Sequence, residues 1–144
     1  MFAYQARELA RQSRVANEVA GNQAYREILR DSTKFTDVFI QYPELHTYYF
    51  DQTPNTPTAT ESVRLAVIAE QHADWLEAAL VTVRQLKSYE SAGVTYEWDD
   101  FITRAVGSSS LLRSTIRDTP DWPTLEPFVA RYDESQTAPP RGAS

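Results

Sequence analysis

The chain has 144 residues, enough for one domain with a sizeable core. It has no cysteine, which excludes disulfides, zinc–thiolate sites and thiol nucleophiles. Its net charge of −6 argues against nucleic acid, because phosphate neutralisation needs a concentrated basic face.

No window approaches the roughly 18–20 uninterrupted apolar residues of a membrane span. The opening MFAYQARELARQ lacks the apolar core of a signal peptide. A soluble, cytoplasmic chain is expected, peripheral to a membrane at most.

Residues 2–30 read as a long amphipathic helix. Phe2, Leu9, Ala16, Ala20 and Ala24 follow one stripe, with Val15, Val19 and Leu29 beside it. Arg7, Arg11, Arg14 and Arg26 make this the one relatively basic region, partly offset by Glu8, Glu18 and Glu27. Gly21 interrupts it and costs up to about 1 kcal/mol against alanine. The favoured explanation is close packing against a neighbour, the other a kink.

Residues 34–42 place Phe35, Val38, Phe39 and Tyr42 at three-and-four spacing, a short helix with an aromatic side that needs cover. Pro43 ends it and suits the first turn of another short helix, PELHTYYF. Leu45, Tyr48, Tyr49 and Phe50 form an aromatic-rich block there. Core or lid packing is its plainer explanation, and a partner anchor its functional one. Residues 51–60, DQTPNTPTAT, are a loop joining helices within one domain.

Residues 61–88, ESVRLAVIAEQHADWLEAALVTVRQLKS, contain neither proline nor glycine and are expected to be the central helix, capped by Thr60. Leu65, Ala69, His72, Leu76, Ala79, Val83 and Leu86 form a heptad seam. A second seam, Val63, Val67, Glu70, Asp74, Glu77 and Val81, lies about 140–200° away. Two apolar sides predict enclosure on opposite flanks. The second seam is carboxylate in its centre, and Glu70, Asp74 and Glu77 at i, i+4 and i+7 could hold a hard cation or tune one another's pKa values. The plainer alternative pairs them with arginines, with Arg7, Arg11 or Arg14 as candidates, or opens them to a wet groove. One of the two is required, because an unpaired buried carboxylate costs several kcal/mol. The Glu-x-x-His pairs of di-iron bundles are missing. His72, alone among apolar neighbours, reads as a hydrogen-bonded core residue rather than a ligand.

Thr95 is expected to cap a helix from Tyr96 to Val106 carrying Trp98, Phe101, Ile102 and Ala105, with Gly107 as its stop. Ser108, Ser109 and Ser110 read as capping residues for LLRSTIRDT, since no Gly-x-Ser-x-Gly turn surrounds them. Asp121 and Pro123 are expected to open the last helix, with Trp122, Leu125, Phe128 and Val129 inward. Periodicity fades from residue 133. The expected organisation is an all-α, single-domain bundle of about five or six helices over 1–134, with a disordered tail over 135–144. No phosphate loop or complete catalytic set is present, and no cofactor is expected.

Three stretches carry a resemblance: ARQSRVANEVAG at 10–21, FIQYPELHTYYFD at 39–51, and ESVRLAVIAEQHADWLEAAL at 61–80 followed by SSSLLRSTI at 108–116. Together they are similar to a DUF6082-like family of small helical proteins from actinobacteria and cyanobacteria. The shared pattern is a Pro-Glu-Leu-x-x-Tyr-Phe block, here Pro43, Glu44, Leu45, Tyr49 and Phe50. A second shared pattern is an Ala-Glu-x-x-Ala-Asp-x-x-Glu helix, here Ala69, Glu70, Ala73, Asp74 and Glu77. The resemblance implies a helical fold and no particular activity. Many members carry a membrane helix ahead of the first soluble helix. This chain starts at Met1 without one, so membrane attachment is not expected. The leading functional expectation is a non-enzymatic interaction or scaffold module, binding a protein partner or self-associating through the first helix or the Tyr/Phe block. The alternative is a metal-binding or hydrolytic protein using Glu70, Asp74 and Glu77.

Overall fold

The computed structural model describes residues 2–86, Tyr89 and residues 93–138. The chain is all-α, as expected. Among the described residues the helices are α1 (Phe2–Asp31), α2 (Thr33–Gln41), α3 (Pro43–Tyr49), α4 (Ala59–Gln85), α5 (Val94–Ser108), α6 (Ser110–Asp118) and α7 (Glu126–Thr137). None of them is long and apolar enough to cross a membrane. The tail expected over 135–144 is helical as far as Thr137, and residues 139–144 lie outside the described set.

Helix α4 is the element the others pack on; α1, α3, α5 and α6 all contact it. It buries Leu65, Ile68, Ala69, Ala73, Leu76, Ala79, Leu80 and Val83, a single broad face. The expectation of enclosure on two opposite flanks is overturned. Val63 is 68 % exposed, Val67 47 % and Val81 38 %, and Glu70 and Asp74 are exposed between them. Valine reads as apolar in any pattern, but a few scattered surface valines cost little. The sequence period alone does not distinguish them from a second core stripe.

The start of α4 is fixed by a reciprocal cap. Thr58, not Thr60, accepts the Glu61 N–H at 3.2 Å, and the Glu61 carboxylate accepts the Thr58 N–H at 2.7 Å. The spacing is that of a capping box, Thr-x-x-Glu, which satisfies two otherwise orphaned donors. The preceding loop is tied to α6. Asp51, at a φ of 55°, accepts the Ser110 backbone N–H at 2.8 Å and its hydroxyl at 2.6 Å.

Gly93, at a φ of 78°, and not Thr95, precedes the first turn of α5. Ser109 caps α6 by accepting the Leu112 N–H at 3.1 Å, which bears out the capping assignment for the serine run. Arg113 reaches back from α6 to the Val106 and Gly107 carbonyls at 2.8 and 3.1 Å, and lies over the Tyr132 ring of α7. The last helix starts at Glu126 rather than at Asp121. Residues 119–125 instead form a turn that brings Trp122 and Leu125 into the core while Pro120, Asp121 and Pro123 stay exposed.

Only the C-terminal third of α1 docks. Ile28 accepts the Trp75 indole N–H at 2.7 Å, the Tyr25 hydroxyl accepts the Trp98 indole N–H at 2.9 Å, and Tyr89 donates to Asn22. Gly21 faces the Leu86 side chain, which a Cβ would meet at 2.3 Å, so close packing is the reason for glycine there. From Leu9 to Ala20 every side chain is exposed.

Thr58→Ala is expected to cost about 1 kcal/mol in urea unfolding, whereas Thr60→Ala is expected to be nearly silent. Equal losses would return the cap to Thr60.

Candidate functional site

The acidic row does not converge into a metal site. Among the described residues no group of three or more His, Asp or Glu side chains is placed to hold a cation. The three carboxylates stand on successive turns of one helix with no second helix supplying ligands, so the proposed metal set Glu70, Asp74 and Glu77 is corrected. Two of them serve the 119–125 turn. Asp74 accepts the Trp122 indole N–H at 2.7 Å, and Glu77 accepts the Thr124 backbone N–H at 3.1 Å. The other oxygen of Glu77 is buried without a hydrogen-bond partner. Nor do Arg7, Arg11 or Arg14 reach this row; the salt bridge that Arg11 makes is to Glu8 at 2.7 Å.

The Tyr/Phe block divides in two. Leu45 and Tyr49 are fully buried core residues, which removes them as contact anchors. Tyr48 and Phe50 are half-buried. The reason is helical geometry: Leu45 and Tyr49 share one face of α3 at i and i+4, and that face is turned onto α4.

Of the block only Phe50 lines the groove of about 920 Å³ that opens between α2, α3, α4 and α5. Its walls carry Phe35 and Phe39 from α2, Phe50 after α3, Trp75 from α4 and Phe101 from α5. Both histidines of the chain line it. The ring of Phe39 lies 5.8 Å from Phe50 and 5.3 Å from His46, and Trp75 lies 6.1 Å from Phe101 edge to face. Aromatic pairs at such distances add about 0.5–1.5 kcal/mol each beyond area burial. Arg104 stands at the lip, paired with Asp100 at 3.2 Å across one turn of α5.

His72 is the polar group set deepest in this wall. Its Nδ1 is 2.7 Å from the Tyr49 hydroxyl, its ring lies 4.9 Å from Phe35, and Trp75 stacks on it at 6.2 Å and 26°. Burial lowers its pKa to about 4. Burial also pushes the Tyr49 phenol up, opposed in part by the Ser109 hydroxyl. Both groups are therefore neutral at pH 7. The phenol keeps its proton and can donate it to Nδ1, which leaves the ring proton on Nε2. The expectation of a hydrogen-bonded histidine among apolar neighbours holds, with one addition: the ring also borders open space.

A general base working near neutrality needs a pKa near 7, and His72 is far below that. Two hydroxyls at the groove are occupied locally: Ser32 donates to the Leu29 carbonyl at 2.6 Å and Ser108 to the Ala105 carbonyl at 2.9 Å. The aromatic side of α2 was legible in the sequence. Its meeting with Trp75 of α4 and with Phe101 and Arg104 of α5 was not, because no local pattern joins residues on three different helices.

The pH response follows from His72. Between the ordinary value of 6.5 and the folded value of about 4, the unfolded chain takes a proton that the folded chain refuses. Stability is full above pH 6.5 and falls as pH drops through this window, by at most about 3 kcal/mol. The stability difference between wild type and His72→Gln, measured by urea unfolding, should shrink by about that amount from pH 7 to pH 4. A difference that stays constant would mean a solvated, ordinary imidazole.

No family model, curated protein or solved structure matches this chain.

Proposed function

We propose that this chain is a non-enzymatic interaction module whose binding element is the aromatic groove, and that the groove receives an apolar helical face of a protein partner. The observation that carries this reading is the groove itself: aromatic side chains from four successive elements line about 920 Å³ of open space. Such space suits a helix laid into a hydrophobic groove, where two or three large side chains supply the anchoring contacts. Aromatic residues dominate binding energy in such surfaces because they bury large area at low entropic cost.

Two details support a binding role. Ile40 borders the groove and is 73 % exposed, and Phe101 is 40 % exposed, so apolar surface continues from the groove onto its rim. Contiguous exposed apolar surface is uncommon unless something covers it. His72, neutral and aimed along the wall, offers one hydrogen-bond donor without the desolvation cost of a charge. That is the chemistry of orientation inside an apolar site.

The test replaces Ile40 with a photoreactive phenylalanine analogue and irradiates the chain in its native cells. The expected product is a polypeptide adduct whose attachment point maps to the apolar face of a helix. Phe101→Asp, at a half-exposed position, should reduce that adduct at least about tenfold, read at a temperature where the variant, destabilised by losing its contacts with Trp75 and Trp98, is still folded. A small-molecule adduct, or a polypeptide adduct indifferent to Phe101→Asp, would overturn the reading.

A further inference from the structure

Helix α1 poses a problem that the groove does not solve. Gly21 lies on Leu86 and Ile28 on Trp75, so α1 runs antiparallel to α4. Everything before Gly21 therefore projects beyond the C-terminal end of α4, roughly 28 Å at 1.5 Å per residue. A helical arm with no tertiary cover is marginal in water, since most helical stability in proteins comes from packing one face. Leu9, Val15 and Val19 are 72 %, 52 % and 52 % exposed on it.

The back of α4 poses the converse problem. Val63, Val67 and Val81 are exposed in line with Glu70 and Asp74; the line is open at Val63, Val67 and Glu70, while the 119–125 turn meets it at Asp74 and Glu77. Glu77, at its end, is half-buried with one carboxylate oxygen lacking a partner.

The two surfaces match. Arg7, Arg11 and Arg14 are spaced i, i+4 and i+7, which puts them on one line of the arm. Glu70, Asp74 and Glu77 have the same spacing on α4. Val15 and Val19 lie beside the arginine line, and the exposed valines of α4 at the two ends of the acidic one. The arm carries Arg7, Arg11 and Arg14 against only Glu8 and Glu18, on a chain whose net charge is −6. Geometry keeps the arm from its own acidic row, because it leaves the bundle at the far end of α4.

We propose that the arm of one copy lies along the acidic back face of α4 in a second copy, reciprocally, making a two-fold dimer through a surface separate from the groove. The occupant is a second copy because this chain itself supplies the complementary charge, apolar flanks and spacing. A reciprocal contact of this kind closes and so stops at two. The solvent-exposed Arg11–Glu8 pair is one of low worth that a new partner can displace.

Charge reversal decides it. Sedimentation equilibrium of the full chain should show a dimer that weakens as salt rises from about 50 to about 500 mM. Arg7→Glu/Arg11→Glu/Arg14→Glu should be monomeric, and should share the wild-type unfolding midpoint at concentrations too low for the dimer, because within one copy the arm touches nothing in the bundle. Glu70→Arg/Asp74→Arg should also be monomeric. Mixed in equal amounts, the two reversed chains should recover a dimer, since each arm then meets a row of opposite charge. Asp74 also holds Trp122, so Glu70→Arg alone provides a second reading at an exposed position: about tenfold weaker association. A wild-type monomer at about 100 µM, a dimer that survives arm reversal, or a mixture that stays monomeric would each overturn the proposal. So would a dimer lost on arm reversal but indifferent to reversal of the row, which would mean that the arms pair with each other. None of these outcomes bears on the groove, whose own test is the adduct at Ile40.

Discussion

Close approach to α4 is the constraint on which the rest of this structure depends. Ala69, Ala73 and Ala79 are fully buried on its packed face, with Leu65, Leu76, Leu80 and Val83 alongside. Small side chains at these positions let neighbouring helices come near, and the larger ones fill the remaining space at the density of a protein interior. Ile102 and Val106 of α5, Leu112 and Ile116 of α6, and Leu45 and Tyr49 of α3 close the core around that face. The groove is a by-product of the same arrangement. Where α2, α3 and α5 splay around α4, their aromatic residues line a gap instead of filling it.

Much of the fold was legible because helix signals in this chain are local. Pro43 separates α2 from α3, the proline-rich loop separates α3 from α4, and Gly93 and Ser109 punctuate the second half. The failures had physical causes. The second seam of α4 looked buried because three valines and a regular spacing mimic a core stripe, yet exposed valine carries little penalty. The start of α7 was misplaced because Pro120-Asp121-Trp122-Pro123 has helix-opening chemistry. What decided the local structure was the tertiary pull on Trp122, whose indole N–H is satisfied by Asp74, far away in sequence. That contact explains one of the three carboxylates, and the Thr124 N–H donated to Glu77 explains a second. They look like a site in sequence and work as acceptors for the 119–125 turn.

The site was less legible than the fold. Phe35, Phe39 and Phe50 could be flagged as aromatic faces needing cover. Their convergence with Trp75 and Phe101 depends on helix angles that no short pattern encodes. Leu45 and Tyr49 show the converse error: the most conspicuous apolar block of the sequence is half core. Its partly buried members, Tyr48 and Phe50, flank the region where the groove opens. The environment of His72 illustrates how a polar residue survives there. One hydrogen bond to Tyr49 and aromatic faces on both sides suffice for a neutral ring, but not for a charged one.

Arg113 has a consequence for how the molecule opens. One guanidinium holds the last carbonyls of α5, springs from α6 and covers the Tyr132 ring of α7. Three short helices that would each be marginal alone are thereby riveted at a common point. Such a triplet should loosen as one cooperative unit rather than fray helix by helix. Its amide protons would then exchange with solvent at a shared free energy, while the arm before Gly21 exchanges freely wherever no second copy covers it. The molecule would have a stiff C-terminal block and a loose N-terminal limb, joined along α4.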